Sequence, residues 1–382
     1  MKQPIPTIIL TGGGSGGHIT PLLSLAHEIK AQSPQARVIF IGHKTDDISG
    51  FKHDFDKVFY INAGKFRRYN DLSFWQRMTK LKTLLMNIRD FFRVIASTFT
   101  AYRILSKTHP DVMFSKGSFV SVTVGIAARF KRIPIVTHDS DTIGGLANHI
   151  IGRWAVVRTS GMPTDEPGFR YVGIPLSKNI KQVSPNQQRD YKHEIGLPTS
   201  STVLLLTGGG NGSVHLNDLL LEAAPLLLSA NPNLYIIHIA GDKHLQAVKD
   251  GYKKILPEAD LSRVHTFGFV NDLYKYSGAA DLIISRAGAT TIAEFAVQAK
   301  ACIIIPSPYL TGGHQLTNAK VLAEAKAAVV LDEDTTADTL ASSTQDLLEK
   351  DKQREDLAEN LHALAKTDAD QTLAKIILET AG

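Results

Sequence analysis

The run Gly12-Gly13-Gly14-Ser15-Gly16-Gly17 separates a short apolar segment, Pro6-Thr7-Ile8-Ile9-Leu10, from a segment of helical spacing that starts at Pro21. The apolar segment reads as a buried strand, and residues 21–32 read as a helix with proline at its first position. Glycine permits so tight a passage from strand to helix and a close backbone approach to a ligand. Strand, glycine loop and helix in that order present free backbone N–H groups to an anion. His18 follows the loop as a titratable group at its mouth. The loop also matches G-x-G-x-x-G. The second strand, however, ends Ile41-Gly42-His43-Lys44 without the carboxylate that a dinucleotide's ribose requires. A nicotinamide enzyme is therefore disfavoured, and a P-loop nucleotidase is disfavoured by the lack of G-x-x-x-x-G-K-[ST].

Strand and helix alternate from that loop onward. Strands read at 7–11, 37–42, 57–61, 111–115 and 133–138, and helices at 21–32, about 74–107, 120–131 and 143–153. A breaker-rich stretch, 161–175, leads to a hinge at about 174–180. The pattern then starts again with a strand at 202–207, the loop Gly208-Gly209-Gly210-Asn211-Gly212 and a helix at 214–229. Further strands read at 234–240, 264–267, 281–285, 302–305 and 327–331, and the chain ends in helical stretches at about 337–350 and 352–380. At 382 residues this is an α/β chain of two doubly wound parallel-sheet domains. Both glycine loops are expected at the carboxyl ends of their strands, lining one cleft.

Charge is divided unevenly. The net charge is +5, made of +12 over residues 1–178 and −7 over residues 179–382. A basic first half suggests an anionic partner such as a membrane surface or a phosphate, the alternative being a solvated basic face. Cys302 is the one cysteine, so neither a disulfide framework nor a cysteine-based zinc site forms within one chain, and a reducing compartment is expected. Neither a signal peptide nor an 18-residue uncharged apolar span is read.

Three further segments carry candidate chemistry. Ser285-Arg286-Ala287-Gly288-Ala289-Thr290-Thr291-Ile292-Ala293-Glu294 reads as a small-residue loop opening a helix. A diphosphate can lie on those N–H groups, and Glu294 can accept both hydroxyls of a ribose. A first-turn carboxylate favouring the helix dipole is the alternative for Glu294. Gln315 and Asn318 share a helix face able to hydrogen-bond a sugar. Asp139-Ser140-Asp141 follows a strand; two carboxylates are too few for a metal site, so substrate hydrogen bonding or orientation of His138 or His18 is preferred. The segment from Lys65 to Lys107 interleaves basic residues with apolar ones, Lys65, Arg67, Arg68, Trp75, Lys82, Phe91 and Phe92 among them. Such interleaving suits the surface of an anionic membrane, although part of this helix must pack on the sheet. Nucleic acid is disfavoured, because no recognised nucleic-acid module accompanies the charge.

Together these motifs resemble one family nearly end to end. Gly13-Gly14-Ser15-Gly16-Gly17-His18, Lys116-Gly117-Ser118-Phe119-Val120-Ser121, His138-Asp139-Ser140-Asp141, Gly173-Ile174-Pro175, the second glycine loop, Arg286 to Glu294, and Gln315-x-x-Asn318-Ala319 occur in the order and spacing of the MurG family. These are glycosyltransferase family 28 enzymes of the GT-B fold. The resemblance implies an inverting transfer of N-acetylglucosamine from UDP-GlcNAc to the 4-hydroxyl of a MurNAc-pentapeptide on undecaprenyl diphosphate. It implies work at the cytoplasmic face of the inner membrane as a peripheral protein, without metal or cofactor. It implies an acceptor and membrane domain over 1–175 and a UDP-sugar domain over 176–367, with the last helix, about 368–382, returning to the first.

By the same resemblance Gly13 and Gly14 face the acceptor, and Ser15, Gly16 and Gly17 face the donor diphosphate and the acceptor. His18 is the first candidate base, with Asp139 or Asp141 second. Val270 lies against uracil, Ala289, Thr290 and Thr291 hold phosphates, Glu294 holds ribose and Gln315 holds the sugar. The basic and apolar segment near 65–95 docks on the membrane. The sequence departs from the family where Asp141 replaces an amide that meets the donor. It departs again where Ser177, next to Lys178, replaces an arginine, and where Gly210 replaces a serine. A transferase for another lipid-linked acceptor and a non-hydrolysing UDP-sugar epimerase are the alternatives.

Overall fold

Parallel strands of Val, Ile and Leu, buried on both faces, organise each half of the chain. The computed structural model describes residues 5–13, 16–44, 46, 49–64, 81–309 and 311–382; the side chains of 16–20, 49, 81–88, 91 and 311 lie outside that description. The chain divides into unit 1, Met1–Ser177 with Thr367–Gly382, and unit 2, Lys178–Lys366. Unit 1 runs β1 (Thr7–Thr11), α1 (Gly16–Gln32), β2 (Arg37–His43), β3 (Lys57–Ile61), α2 (Leu81–Thr108), β4 (Val112–Ser115), α3 (Phe119–Phe130), β5 (Ile135–Asp139), α4 (Leu146–Ile151), β6 (Val157–Ser160) and β7 (Phe169–Tyr171). Unit 2 opens with α5 (Pro185–Glu194), β8 (Thr202–Thr207), α6 (Val214–Ala230), β9 (Leu234–Ile239), α7 (Leu245–Ile255), α8 (Glu258–Leu261) and β10 (Val264–Phe267). It continues through α9 (Leu273–Ala279), β11 (Leu282–Ser285), α10 (Ala289–Gln298), β12 (Cys302–Ile304), α11 (His314–Glu324), β13 (Val329–Val330), α12 (Ala337–Glu349) and α13 (Asp351–Ala363). The last helix, α14 (Ala369–Ala381), belongs to unit 1.

The first sheet has the order β3-β2-β1-β4-β5-β6-β7 and the second β10-β9-β8-β11-β12-β13. Every pairing is parallel. The order reverses between β1 and β4 in one sheet and between β8 and β11 in the other. At such a reversal the connections leave in opposite directions, so a crevice opens at the carboxyl ends of the two strands. Both glycine loops begin there.

Alternation along each strand supplies two cores per unit. In unit 1, Ile8, Leu10, Phe40, Phe114 and Val136 face α1 and α14, whose Leu373, Ala374, Ile376 and Ile377 complete that layer. Ile9, Ile39, Met113 and Ile135 face α2 and α3 on the other side. In unit 2, Leu204, Leu206 and Ile284 pack against α6 and α12, while Leu205, Ile283 and Ile304 pack against α10 and α11.

Three expectations shift. α1 begins at Gly16 rather than Pro21, so the end of the glycine run is already helical. Pro21 lacks the N–H that would have met the Gly17 carbonyl, a loss tolerated close to a helix start. The stretch read as 352–380 is two helices, because the chain breaks at 364–368 to return α14 to unit 1. β6 and β7 extend the first sheet around a breaker-rich stretch that reads as linker. Leu373→Ala, which empties a fully buried site on α14, is expected to lower the stability of unit 1 by about 2–5 kcal/mol. Urea unfolding followed with a unit 1 probe measures this, and an unchanged midpoint would place α14 outside the core.

Candidate functional site

In unit 1 the crevice is framed by Thr11, which ends β1, and Lys116, which follows β4; the Lys116 N–H donates to the Thr11 carbonyl at 2.9 Å. Gly13 has φ +142°, and a side chain there would collide with the Asp46 carboxylate. Asp46 is buried and accepts the His43 N–H at 2.7 Å. An acid thus does reach the opening loop, from beyond the expected end of the second strand. It packs on the loop's own backbone at Gly13 and bonds the end of β2. Gly14 and Ser15 lie outside the described residues. Gly16, Gly17 and His18 form the start of α1, and the His18 side chain lies outside the description.

The 138–141 turn follows β5. His138 is fully buried, with Nδ1 3.0 Å from Thr159 Oγ1. The Thr159 hydroxyl donates to the Thr137 carbonyl at 2.9 Å, so its oxygen accepts the Nδ1–H of His138. Burial, with the Lys116 charge nearby, holds this imidazole well below its usual range, so it is neutral. Enclosed and stacked on Phe114, His138 is a structural group rather than a base open to substrate. Burial raises the Asp139 carboxyl, and the Gly145 N–H (2.9 Å to Oδ1), the Asn148 side chain and Lys116 oppose the rise. Asp139 therefore holds the turn that leads into α4. Asp141 is half-buried beside it. Ser177 closes unit 1 and Lys178 opens unit 2.

In unit 2 the loop after β8 is open. Gly209, at φ +82°, and Gly210 have empty space where a Cβ would stand. Gly288 precedes α10 and gives it no side-chain cap, so the N–H groups of Ala289, Thr290 and Thr291 lack a capping side chain. Glu294 lies in the second turn of α10 rather than the first, where the helix dipole acts only weakly on it. Among the described residues nothing pairs with its half-buried carboxyl, and burial pushes it up to about 7. Val270 packs against the core beneath the loops. Gln315 is buried and its Oε1 accepts the Ser307 N–H at 2.9 Å. Asn318 is not a sugar contact: it is fully buried, and its Nδ2 donates to the Ala287 carbonyl at 3.0 Å.

Arg286 is a buried residue beside these loops that sequence reasoning did not single out. Its buried guanidinium reaches Ser213 Oγ (3.2 Å), the Ile305 carbonyl (3.0 Å) and, bidentately, the Glu333 carboxylate, with Nη2 to Oε1 at 3.0 Å. It ties the second glycine loop to the loop before α10. An arginine directly after an apolar strand was the signal, but its partner is distant in sequence. No group of three His, Cys, Asp or Glu side chains able to hold a metal occurs among the described residues.

Residues 8–157 match the Glycosyltransferase family 28 N-terminal domain and residues 203–373 its C-terminal domain. The chain is 30% identical over 373 residues to a protein of Geobacter sp. (strain M21), covering 96% of this chain and 94% of that one. It is 30% identical over 378 residues to a protein of Citrifermentans bemidjiense, covering 97% and 99%. Both relatives are named UDP-N-acetylglucosamine--N-acetylmuramyl-(pentapeptide) pyrophosphoryl-undecaprenol N-acetylglucosamine transferase. The chain belongs to glycosyltransferase family 28. Its fold is also that of Acinetobacter baumannii MurG, with a TM-score of 0.73 at 23% identity over 98% of this chain and 100% of that one. Two parallel-sheet α/β units in this arrangement of strands make it a GT-B protein.

For this family 28 chain the Glu294 carboxyl gives a pH signature. Its value of about 7 lies above the ordinary 4.5, so the folded state holds the proton more tightly than the unfolded chain. Its contribution to stability is full below the unfolded value and is lost as pH rises through about 7. Glu294→Gln is expected to gain stability relative to wild type between pH 5 and 8, measured as urea midpoints; a pH-independent difference would refute the desolvated carboxyl.

Proposed function

We propose that the protein is an inverting N-acetylglucosaminyltransferase that converts the undecaprenyl-diphosphate-linked MurNAc-pentapeptide, lipid I, to lipid II with UDP-GlcNAc as donor. The observation that carries this is the full-length match to transferases bearing that name, across both family 28 domains. The site geometry supports the donor half. The diphosphate lies on the uncapped N–H groups of Ala289 to Thr291 and on the open loop at Gly209 and Gly210. The Glu294 carboxylate accepts the ribose hydroxyls, Val270 backs the uracil and the Gln315 amide donates to the sugar.

The acceptor hydroxyl attacks the anomeric carbon, and UDP leaves from the opposite face. Charge that grows on the leaving diphosphate meets N–H dipoles already in place, which need no reorganisation during the step. His18, at the start of α1, takes the proton of the attacking hydroxyl, since an imidazole is largely neutral near pH 7. Asp139 or Asp141 is the second choice of base. Labelled GlcNAc is expected to pass to a lipid I analogue. His18→Ala is expected to cut turnover about 10²-fold or more while leaving UDP affinity nearly unchanged. Release of epimerised sugar nucleotide, or donor binding without turnover, would overturn the reading.

The second half of the proposal is peripheral binding to an anionic membrane at the cytoplasmic face. No helix among the described residues is long and apolar enough to cross a membrane. α2, however, exposes Phe92, Ile95, Phe99 and Tyr102 at steps of three and four residues, a single helical face. Arg89 and Arg93, one turn apart and 3.5 and 3.6 Å from the Asp90 carboxylate, lie together along one side of that face, and Phe130 stands exposed at the end of α3. Lys65, Arg67, Arg68 and Trp75, also expected in this contact, lie outside the described residues, as do the side chains of Lys82 and Phe91. Apolar side chains beside arginines suit the headgroup boundary. Replacing both Phe92 and Phe99 by Ser is expected to weaken sedimentation with anionic vesicles at least about tenfold; unchanged binding would remove this face from the contact.

A further inference from the structure

Lys116 has no part in the chemistry described so far, yet it sits at the centre of the unit 1 crevice. It follows β4 directly and is 2% exposed. Its backbone N–H is held by Thr11, the last residue before the opening glycine loop. Its ammonium donates to Ser140 Oγ, in the middle of the 139–141 turn. Asp139 and Asp141 both act on it electrostatically. Around it, Asn148 accepts from the Ser115 hydroxyl at 2.8 Å and donates to the His138 carbonyl at 2.9 Å, and Gly117, at φ +83°, packs against that amide.

Two costs meet at this point. A buried ammonium without counter-charge is expensive, and so are two carboxylates in a crevice that must admit a diphosphate. Each offsets the other only if they stay together. Unit 2 places a cation in the same position: Arg286 follows β11 as Lys116 follows β4, and it too is neutralised by a carboxylate while it joins neighbouring loops.

We propose that Lys116 is a positioning residue: seated on Ser140, it cancels the carboxylate charge of the 139–141 turn and ties that turn to the opening glycine loop, so that an anionic diphosphate substrate is accepted beside it. This rests on the reading of the turn as substrate-facing. Lys116 touches no substrate itself. It acts through the turn.

The test uses the full chain as wild type, Lys116→Met, Asp141→Asn and the double variant. Lys116→Met is expected to raise KM for a diphosphate-bearing substrate about tenfold, with kcat changed much less. Adding Asp141→Asn is expected to recover most of that loss, because one carboxylate less restores the balance. Lys116→Arg is expected to retain a low KM. Affinity for inorganic diphosphate, measured by calorimetry on the same proteins, reads the charge balance whether or not turnover is seen. An inactive wild type that binds diphosphate with the predicted coupling would overturn the assigned reaction and leave this inference standing. Strictly additive effects of Lys116→Met and Asp141→Asn would overturn the inference, as would a lowered Tm with unchanged KM and diphosphate affinity. Should Lys116→Met fail to fold, Ser140→Ala removes the seat and keeps the charge; an unchanged KM in that variant overturns the proposal equally.

Discussion

Everything functional in this chain hangs on the reversal of strand order at β1/β4 and at β8/β11. A parallel sheet brings the carboxyl ends of its strands to one edge, and a reversal parts the loops above that edge. The chain places its glycines where the loops part. Thr11 and Thr207 each end the first strand of a sheet and each is followed by three glycines. Ser115 and Ser285 each end the strand across the reversal, and each is followed by a buried cation. The Ser285 hydroxyl donates to the Thr207 carbonyl at 3.0 Å, and the Lys116 N–H donates to the Thr11 carbonyl at 2.9 Å, so in both units the two edges of the crevice are laced together just below the loops. The repeat is one of physical solution: a rigid edge, then backbone free to meet a ligand.

The two units differ in how they treat charge at that edge. In unit 2, Arg286 is satisfied by Glu333, Ser213 and Ile305, so its guanidinium braces the loops and the uncapped start of α10 is left for an anion. In unit 1 the cation is a lysine, whose one hydrogen-bond acceptor among the described residues is Ser140, with two carboxylates acting on it electrostatically. A guanidinium with four of its five N–H donors engaged is a fixed strut, whereas an ammonium balanced by charge is sensitive to what enters nearby. That contrast fits the proposed reading, in which unit 2 holds a nucleotide rigidly and unit 1 admits a bulky, charged lipid substrate.

The strands and the long helices were legible because their signals are local: β-branched runs, helical spacing and glycine at loops. What escaped was set by tertiary contacts. The start of α1 at Gly16 overrides the weak helix propensity of glycine, since the strand–loop–helix geometry places those residues in the first turn. The break at 364–368 depends on a hydrophobic layer in unit 1 that needs α14, which no local pattern announces. Asn318 reads as a polar face residue until the loop carbonyl it satisfies, Ala287, is seen above it. Arg286 and Glu333 are separated by 47 residues, and only the fold joins them. Glu294 is the converse case. The sequence left it between a ligand role and a first-turn role, and its place in the second turn sets aside the helix dipole as its purpose.

The division of charge follows from these sites. Residues 1–178 carry +12 and residues 179–382 carry −7, although the nucleotide diphosphate is assigned to the acidic part. An acidic unit can hold a diphosphate when the binding groups are backbone dipoles, which add no net charge and lose no side-chain entropy. It can then keep an acidic surface that does not compete for the membrane. The basic residues are left to the unit whose exposed apolar face on α2 has Arg89 and Arg93 along one side. Placing cations there raises affinity for an anionic surface by long-range attraction, while the rings supply the contact that salt does not screen. In the proposed reading, recognition of the donor through backbone geometry frees side-chain charge to be concentrated where the lipid-linked acceptor has to be met.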